Sequence, residues 1–551
     1  MRPSLTLRHV VPRAHKSNFG IRGPQPGWRG RAPRHSPKSP RNKRGYGRVS
    51  SLSLIVMVSG GCASLDARPE IERSATCVEH ATGVSADVLL FDSEAASAKT
   101  SELVKEGLSA DEAVKVALLN NPRARAATLS IGVSRADFVQ STLFSNPTLA
   151  LSFRFPDGGG LANFETALTQ NIAELWLIPS RKQVAQRRLD RAVLRAAATM
   201  AAIAYDARRA YTHAAKARAG EAVTREALGL TEQLHEVARL RQQAGTGNEI
   251  DVNLARTRQL EAETMFRGAR LATVEAYAEL ARVLGLSVSP ETLQLTASLP
   301  EPNDWAVSPE ALQRIAKENR LDLKIAEQSV GEARARAKEE RARFLKSVQV
   351  GLALERAERR ARGGRDWVEE TFYDSLQSRQ FTPPSLMPRE SQGTDVIAGP
   401  TFGIEVPLWD QNLAQIARAD LQVEETLQLR DALLVDVAQD IHSRLGRART
   451  AAESAIFYRD EQLPAAERNV WLSREAYKAG RVSFLSVLEA ERTYVAAKSG
   501  YLEVLEHAAI ATIELEQVTG RPAAVLLSAQ DSNATTYPMA TPTMPEVEPR
   551  E

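Results

Sequence analysis

Two kinds of hydrophobic periodicity alternate along the chain. Over residues 148–155 apolar and polar residues alternate, so that Leu149, Leu151 and Phe153 share one face of an extended segment. The longer segments between such stretches are rich in Ala, Leu, Glu, Arg and Gln, which favour helices. The pattern predicts a mostly helical α+β protein with four β-strands in two hairpins. The other three predicted strands cover residues 164–168, 348–355 and 402–408.

The helical segments form two long antiparallel pairs. Residues 181–244 contain no proline, and one continuous helix of that length would extend about 90 Å. Glycine-containing residues 245–248 predict a turn into a return helix over 249–284. The second pair is predicted at residues 413–479, with a kink at Pro464, and at residues 484–519.

Shorter helices have recognisable start signals. Ser109, with Glu112 three residues later, has the capping-box pattern, and Ser308 precedes a second short helix. A helix break is expected at Pro122, because proline removes a helical hydrogen bond. The charged, Gly, Pro and Ser residues between the third and fourth predicted strands indicate a loop of about forty residues.

The body of the chain is an internal duplication. Gly245 and Gly480 each follow an alanine, and each is followed by a valine seven positions later and an alanine ten positions later. This spacing aligns the turns of the two long helical pairs. The predicted organisation is a basic extension and signal peptide (1–61), a linker (62–102), two strand–helix repeats (103–300 and 301–525) and a disordered tail (526–551).

The N-terminal segment has the layout of a secretory signal. Basic residues precede a short apolar run that ends in Ser59-Gly60-Gly61-Cys62. This ending resembles a bacterial lipobox, in which the cysteine is acylated, although Ser59 stands where the pattern usually has leucine. Acylation of Cys62 and ordinary cleavage nearby both remain open. We interpret the basic residues before residue 41 as the product of a misassigned start codon.

Charge and motifs exclude several functions. Removing the thirteen Lys and Arg of residues 1–61 from the 71 in the chain leaves 58 against 68 acidic residues, a net charge of −10 for the body. We therefore expect no nucleic-acid partner. The chain lacks the common nucleotide-binding, hydrolase and zinc-protease motifs, which predicts no enzyme activity and no cofactor. Cys77 and His80 are at best half of a metal site, and a Cys62–Cys77 disulfide remains open.

Strand number predicts the assembly state. A sheet that spans a membrane must close so that no edge lacks a partner, and bacterial barrels begin at eight strands. Four strands per chain therefore require oligomerisation if they span, and two or three copies would supply eight or twelve strands. A periplasmic or surface-attached coiled-coil scaffold without channel activity is the alternative, and it explains the helices better than the strands.

Six short motifs stand in order along the chain: Leu108–Ala113, Asn120-Asn121-Pro122, Asn146-Pro147, Val406–Asp410, Ala479–Ser483 and Val487–Arg492. Together they resemble the TolC-like outer-membrane efflux protein family over roughly residues 103–520. This resemblance implies a homotrimer in the bacterial outer membrane, with a twelve-stranded β-barrel continued by a periplasmic α-helical barrel. It also implies a periplasmic adaptor (membrane fusion) protein and an inner-membrane pump as partners, in contact with outer-membrane lipid.

By the same resemblance, the turns of the long helical pairs form the periplasmic end that docks the adaptor. The residues concerned are Gly245, Gly247, Gly480 and Arg481. For the glycines, a tight turn without any partner contact is an equally compatible interpretation. Glu249 and Asp251 with Arg481 suggest a charge ring that closes an aperture, and a solvated surface is the alternative. The cargo of the duct stays open.

Overall fold

The computed structural model describes residues 64–85, 93–155, 162–287, 293–361, 367–380 and 390–534. Thirteen α-helices and four strands lie in these segments. The helices are α1 Arg68–Thr82, α2 Ser93–Glu106, α3 Ala110–Asn120, α4 Pro122–Thr142, α5 Glu174–Gln243, α6 Glu249–Leu284, α7 Pro309–Asn319, α8 Leu321–Ala342, α9 Trp367–Ser378, α10 Leu413–Phe457, α11 Leu463–Lys478, α12 Phe484–Thr519 and α13 Ala523–Ala534. The strands are β1 Thr148–Arg154, β2 Asn163–Asn171, β3 Val348–Ala361 and β4 Glu390–Ile404.

Local signals set the helix boundaries where the sequence predicted them. The Ser109 hydroxyl accepts a hydrogen bond from the Glu112 backbone, and the Glu112 carboxylate accepts one from the Ser109 backbone, which completes the capping box of α3. The Asn121 side chain caps α4, in which Pro122 takes the first position and needs no amide partner. Ser308 caps α7 in the same way through the Ala311 amide.

Two helices occupy the segment that the sequence predicted as a linker over residues 62–102. In α1, Ile71, Ala75 and Val78 are buried, and the helix packs on α5. Their spacing of four and three residues places them on one helical face. The prediction missed this helix because its remaining residues are mostly polar. At the other end, α13 occupies part of the predicted tail, and Leu526 is fully buried in the core.

The four strands form one antiparallel sheet in the order β1-β2-β3-β4. Leu149 pairs with Leu168, and Leu168 pairs with Leu352, so a single register runs across the first three strands. Because partners in an antiparallel pair point to the same face, the predicted alternation becomes two distinct sheet faces.

The second hairpin differs from the prediction in its length. β3 extends to Ala361, and β4 begins at Glu390 and ends at Ile404 rather than covering residues 402–408. Helix α9 lies within the predicted loop. The half of this hairpin nearest the connection between β3 and β4 has many charged and small residues. It therefore lacks the alternation of apolar and polar residues from which strands were predicted. Pro407 lies three residues beyond Ile404, the last paired residue of β4, and has no amide hydrogen to donate to a ladder.

The long helices follow the predicted pairs closely. α5 begins seven residues earlier than predicted and includes Pro179 in its second turn. The predicted break near Pro464 is a π-helical turn, Tyr458–Gln462, between α10 and α11. Such a turn accommodates the proline ring by skipping one ordinary helical hydrogen bond. Among the described residues, no helix combines the length and apolar character needed to cross a bilayer.

The helices that lead into the sheet stand in the same order as the strands. α4 packs on α5, α5 on α8, and α8 on α10, and these helices continue β1, β2, β3 and β4 respectively. Away from the sheet, α6 packs on α5, α5 on α12, and α12 on α11. The largest buried cluster lies where α3, α5, α6 and α12 meet, around Leu108, Met200 and Leu280.

Candidate functional site: the hairpin tips and the edges of the helix and strand rows

Two tight turns, which we call the hairpin tips, join α5 to α6 (residues 244–248) and α11 to α12 (residues 479–483). Gly245 and Gly480 have φ values of 74° and 69°, a conformation that side chains other than glycine rarely adopt. Gly247 is required for a different reason, since an added Cβ would lie 3.0 Å from the Gln242 amide nitrogen. The matched glycines therefore have a structural explanation in both repeats.

The two tips pack against each other through a small apolar cluster. Tyr477, Phe484 and Val487 of the second hairpin share this cluster with Leu234 and Ala238 of the first. The Tyr477 and Phe484 rings lie 5.5 Å apart. Tyr477 and Phe484 lie on either side of Gly480 in the sequence. Two large aromatic residues next to a tight turn could have predicted that the second tip packs against another part of the chain.

Arg241 joins the tips by a polar contact that the sequence analysis missed. Its guanidinium carbon lies 4.6 Å from the centre of the Tyr477 ring, and its Nη1 donates to the Tyr477 carbonyl oxygen at 3.3 Å. A guanidinium over an aromatic face stabilises the pair by about 0.5–1 kcal/mol at an exposed site. Arg241 and Tyr477 thus fix the first hairpin relative to the second.

The predicted aperture charges lie on the surface of the tips. Glu249 and Asp251 occupy the first turn of α6, and the Asp251 amide donates to the Asn248 side chain that caps the helix. Arg481 lies in the second tip and its amide donates to the Ala476 carbonyl. Within the described part of this single chain, no ion pair joins Arg481 to either carboxylate. The charge ring stays a prediction about an assembly.

A buried ion pair lies one to two turns from the second tip. Arg474 Nη2 lies 2.6 Å from Glu491 Oε1, and Glu491 is only 5% exposed. Burial raises the pKa of Glu491 above its ordinary value, and the nearby Arg474 opposes that shift. The pair therefore ties α11 to α12 through a carboxyl group whose ionised form is disfavoured by its surroundings.

The two faces of the sheet differ strongly in polarity. One face exposes large apolar side chains in rows such as Leu149-Leu168-Leu352. The opposite face has small and polar rows, including Ala150-Ala167-Ala353-Gly399 and Thr148-Thr169-Gly351-Thr401, with Ile397 as a large apolar member. Arg154 and Glu165 form an ion pair on this second face, 2.9 Å apart. An apolar face of this size without a covering layer indicates a nonaqueous or protein environment.

The ends of the strand and helix rows lack partners in the described chain. β1 and β4 are edge strands, each paired on one side only. At the β1 side, α4 exposes Leu129 and Val133; at the β4 side, α10 exposes Leu421 and Leu429. Farther from the sheet, Leu254 and Leu271 of α6 and Trp471 and Leu472 of α11 are also exposed.

The cysteine predictions are only partly accessible in the structure. Cys62 and the signal segment lie outside the described residues, so acylation and the Cys62–Cys77 bridge stay predictions. Cys77 lies in α1, and its half-buried position raises the pKa of the thiol. Among the described residues, no group of three or more His, Cys, Asp and Glu side chains is placed to hold a metal ion.

Comparisons with known proteins agree with this geometry. The model of the outer membrane efflux protein family matches residues 312–521. The crystal structure of CusC, described as forming a transmembrane channel, superposes on this chain with a TM-score of 0.57. The superposition covers 76% of this chain and 93% of the CusC chain, and the two sequences are 16% identical. No curated protein sequence matches the chain.

Two further solved structures have the same architecture. The outer membrane protein VceC of Vibrio cholerae is 14% identical, with 75% of this chain and 96% of its own covered and a TM-score of 0.55. The outer membrane channel CmeC of Campylobacter jejuni is 13% identical, with 78% and 90% covered and a TM-score of 0.56.

The fold is therefore that of the outer-membrane channels, with long helical hairpins continued by a four-stranded sheet. The match of the outer membrane efflux protein model to residues 312–521 confirms the resemblance predicted from the sequence. The mostly helical fold with a duplicated strand–helix unit is confirmed as well. Trimer formation and the roles of individual tip residues stay predictions.

Proposed function

We propose that this protein is the outer-membrane channel subunit of a tripartite efflux or export system. Three copies form a passive duct from the periplasm to the exterior. The main observation behind the proposal is the row of helices that continues strand by strand into a sheet with two unpaired edges. When the two edges of one protomer are complementary, copies related by rotation join edge to edge and close into a ring.

The sheet favours three copies over two. A membrane-spanning sheet needs every edge paired, so β4 of one protomer pairs with β1 of the next. Two copies would give an eight-stranded barrel, whose interior is narrow enough for its own side chains to fill. Three copies give twelve strands, which leaves room for a duct. The relatives of the same fold include proteins described as outer membrane channels.

The helix edges support the same closure. α4 and α6 lie at one end of the rows, and α10 and α11 lie at the other. Both ends expose large apolar side chains, which a neighbouring protomer would cover in a head-to-tail contact. One rotation therefore joins β1 to β4, α4 to α10 and α6 to α11.

The sheet faces then have distinct roles. The face that contains Leu149, Leu168 and Leu352 contacts outer-membrane lipid, and the face with Ala150, Arg154 and Thr169 lines the duct. This polarity matches the apolar outside and polar inside of outer-membrane barrels.

The hairpin tips dock a periplasmic adaptor that connects the duct to an inner-membrane pump. Gly245, Gly247, Gly480 and Arg481 lie at these tips, and Ile250 and Leu485 beside them are 67% and 60% exposed. Exposed apolar side chains beside tight turns offer a contact surface. In the trimer, we place Glu249 and Asp251 of one protomer near Arg481 of another, where they narrow the aperture.

Acylation of Cys62 is part of this proposal. The ending Ser59-Gly60-Gly61-Cys62 resembles a lipobox, and an acyl chain on the cysteine would anchor the protein to the outer membrane.

Fractionation and conductance test the proposal. The protein should resist washing from outer membranes, run as a heat-sensitive trimer, and produce ion-conducting steps in planar bilayers. Recovery in the wash, or in outer membranes as a nonconducting monomer, would favour the coiled-coil scaffold. Deleting the gene and comparing sensitivity to metal ions with sensitivity to lipophilic drugs would identify the cargo class.

A further inference from the structure

A largely apolar cavity of about 460 Å³ lies between α5, α6 and α12, close to the hairpin tips. Because α5 packs on both α6 and α12, it forms the floor of the cavity, and the other two helices form its walls. The apolar lining includes Leu230, Met265, Leu488 and Val495. A volume between about 300 and 1,000 Å³ and an apolar lining are typical of sites that bind small organic molecules.

The charged groups at the cavity balance one another. Two guanidinium groups, Arg258 and Arg492, line it together with two carboxylates, Glu261 and Glu491. Arg258 Nη1 lies 2.6 Å from Glu261 Oε2, and Glu491 is paired with Arg474. Since the wall carries no excess charge of either sign, the apolar lining decides the preference and favours a neutral, lipophilic molecule.

Glu491 offers an unused hydrogen-bond acceptor at this cavity. The residue is only 5% exposed. Both hydrogen bonds from Arg474 end on Glu491 Oε1, at 3.0 and 2.6 Å, and Oε2 accepts none from the described part of the chain. A ligand in the cavity that carries a hydroxyl or N–H group would donate to this oxygen, and the charge of the carboxylate strengthens such a bond.

The cavity lies on the side of the helical row opposite the short helices. α3 packs on α5 in the buried cluster that contains Tyr211, and α7 packs on α12 in the cluster that contains Leu515. At about 100° per residue, Ala227 points about 160° away from Tyr211, and Val495 points about 160° away from Leu515. Three copies of α3 and α7 inside the ring would obstruct the duct, so the side with the cavity faces its interior.

We propose that this cavity is a contact site for lipophilic organic cargo inside the duct, with Glu491 as the acceptor for a hydroxyl or amine N–H group. The inference rests on the proposed function, because the cavity faces a duct only in the closed ring. It names the cargo class as neutral organic compounds of drug size. Met265 is 61% exposed at the wall, and its flexible thioether side chain adapts to ligands of different shape. Binding is weak, because a molecule in transit must also leave.

Binding of N-phenyl-1-naphthylamine to the purified trimer tests the proposal, because this lipophilic probe has one N–H donor and fluoresces more strongly in apolar surroundings. Ala496 is exposed and lines the cavity, so Ala496→Trp should fill the cavity without disturbing buried contacts. The probe should then bind about tenfold more weakly, a loss of about 1.4 kcal/mol. The matched control is Thr493→Trp, which adds the same side chain at an exposed position of α12 outside the cavity and should leave binding unchanged.

A second pair of ligands isolates the role of Glu491. In 1-benzylnaphthalene a CH₂ group replaces the N–H group of the probe, and its affinity is measured by competition with the probe. It should bind about tenfold more weakly than the probe to the wild-type trimer, since it lacks the charge-assisted hydrogen bond. Glu491→Gln should reduce this difference, because a neutral amide oxygen accepts a weaker bond.

The outcomes separate the two proposals. Equal probe binding by wild type and Ala496→Trp would overturn the site, and equal affinity of wild type for the two ligands would overturn the role of Glu491. Conducting trimers that bind no probe beyond the background of empty detergent micelles would overturn the inference and leave the channel intact. Displacement of the probe by Zn²⁺ at lower concentrations than by 1-benzylnaphthalene would show a metal site instead. A chain that neither trimerises nor conducts would contradict the proposed function itself.

Discussion

Placing a charge on the apolar face of the sheet is a sensitive probe of its environment. Leu352 lies four residues into β3 and is 59% exposed in the single chain. At about 3.3 Å per residue and a tilt of about 40°, it stands about 10 Å from the periplasmic end, close to the bilayer midplane. Leu352→Arg should therefore destabilise each protomer by about 2–4 kcal/mol, or about 6–12 kcal/mol per trimer. That sum is comparable to the whole stability of a folded domain.

The neighbouring residue provides the matched control. Ala353 lies on the opposite face, in the row with Ala150, Ala167 and Gly399, so Ala353→Arg should cost little in a water-filled duct. The assay is the amount of heat-sensitive trimer in outer-membrane fractions. Leu352→Arg should abolish that band, while Ala353→Arg should retain it. Equal tolerance of both substitutions, or loss of trimer only with Ala353→Arg, would refute the assignment of the sheet faces.

Three further predictions concern the helices, each measured by thermal unfolding of the purified trimer or by amide exchange. Ser109→Ala removes the capping box and should lower the local stability of α3 by about 1 kcal/mol, which is measured as faster amide exchange in that helix. Unchanged exchange rates would contradict the role of the cap. Gly500→Ala places a Cβ 2.8 Å from a Tyr458 ring carbon at the π-helical turn. Overpacking of about 1–2 kcal/mol is partly offset by the roughly 0.5–1 kcal/mol that alanine gains over glycine inside a helix, so the unfolding temperature should fall slightly, and a raised unfolding temperature would refute it. Because burial raises the pKa of Glu491, the folded state takes up its proton more readily than the unfolded state. Wild type should therefore gain stability relative to Glu491→Gln as pH falls from 7 toward the ordinary carboxyl value of 4.5, and parallel pH profiles would exclude this contribution.

Local signals explain why much of the fold could be predicted from the sequence. The capping box at Ser109, the break at Pro122 and the glycine turn at Gly245 each act within a few residues, so their outcome depends little on the rest of the chain. Strict alternation over residues 148–155 likewise predicted β1 and the face on which its apolar residues lie.

The unpredicted parts depend on partners distant in the chain. α1 is helical because Ile71 and Val78 are buried against other helices, and that burial is not visible in a mostly polar segment. β4 begins at Glu390 because β3 offers a paired edge, although its residues are small and charged. The contact between Arg241 and Tyr477 joins two repeats and needed the packed tips to be recognised.

Imaging the assembly extracted from outer membranes tests the central claim most directly. Single-particle reconstruction should show three copies around one axis, with β4 of each protomer paired to β1 of the next in a closed twelve-stranded barrel. The helical rows should continue that barrel as a duct that ends at the Gly245 and Gly480 tips. A particle with an unpaired β1 or β4 edge, or without a central opening, would contradict the account.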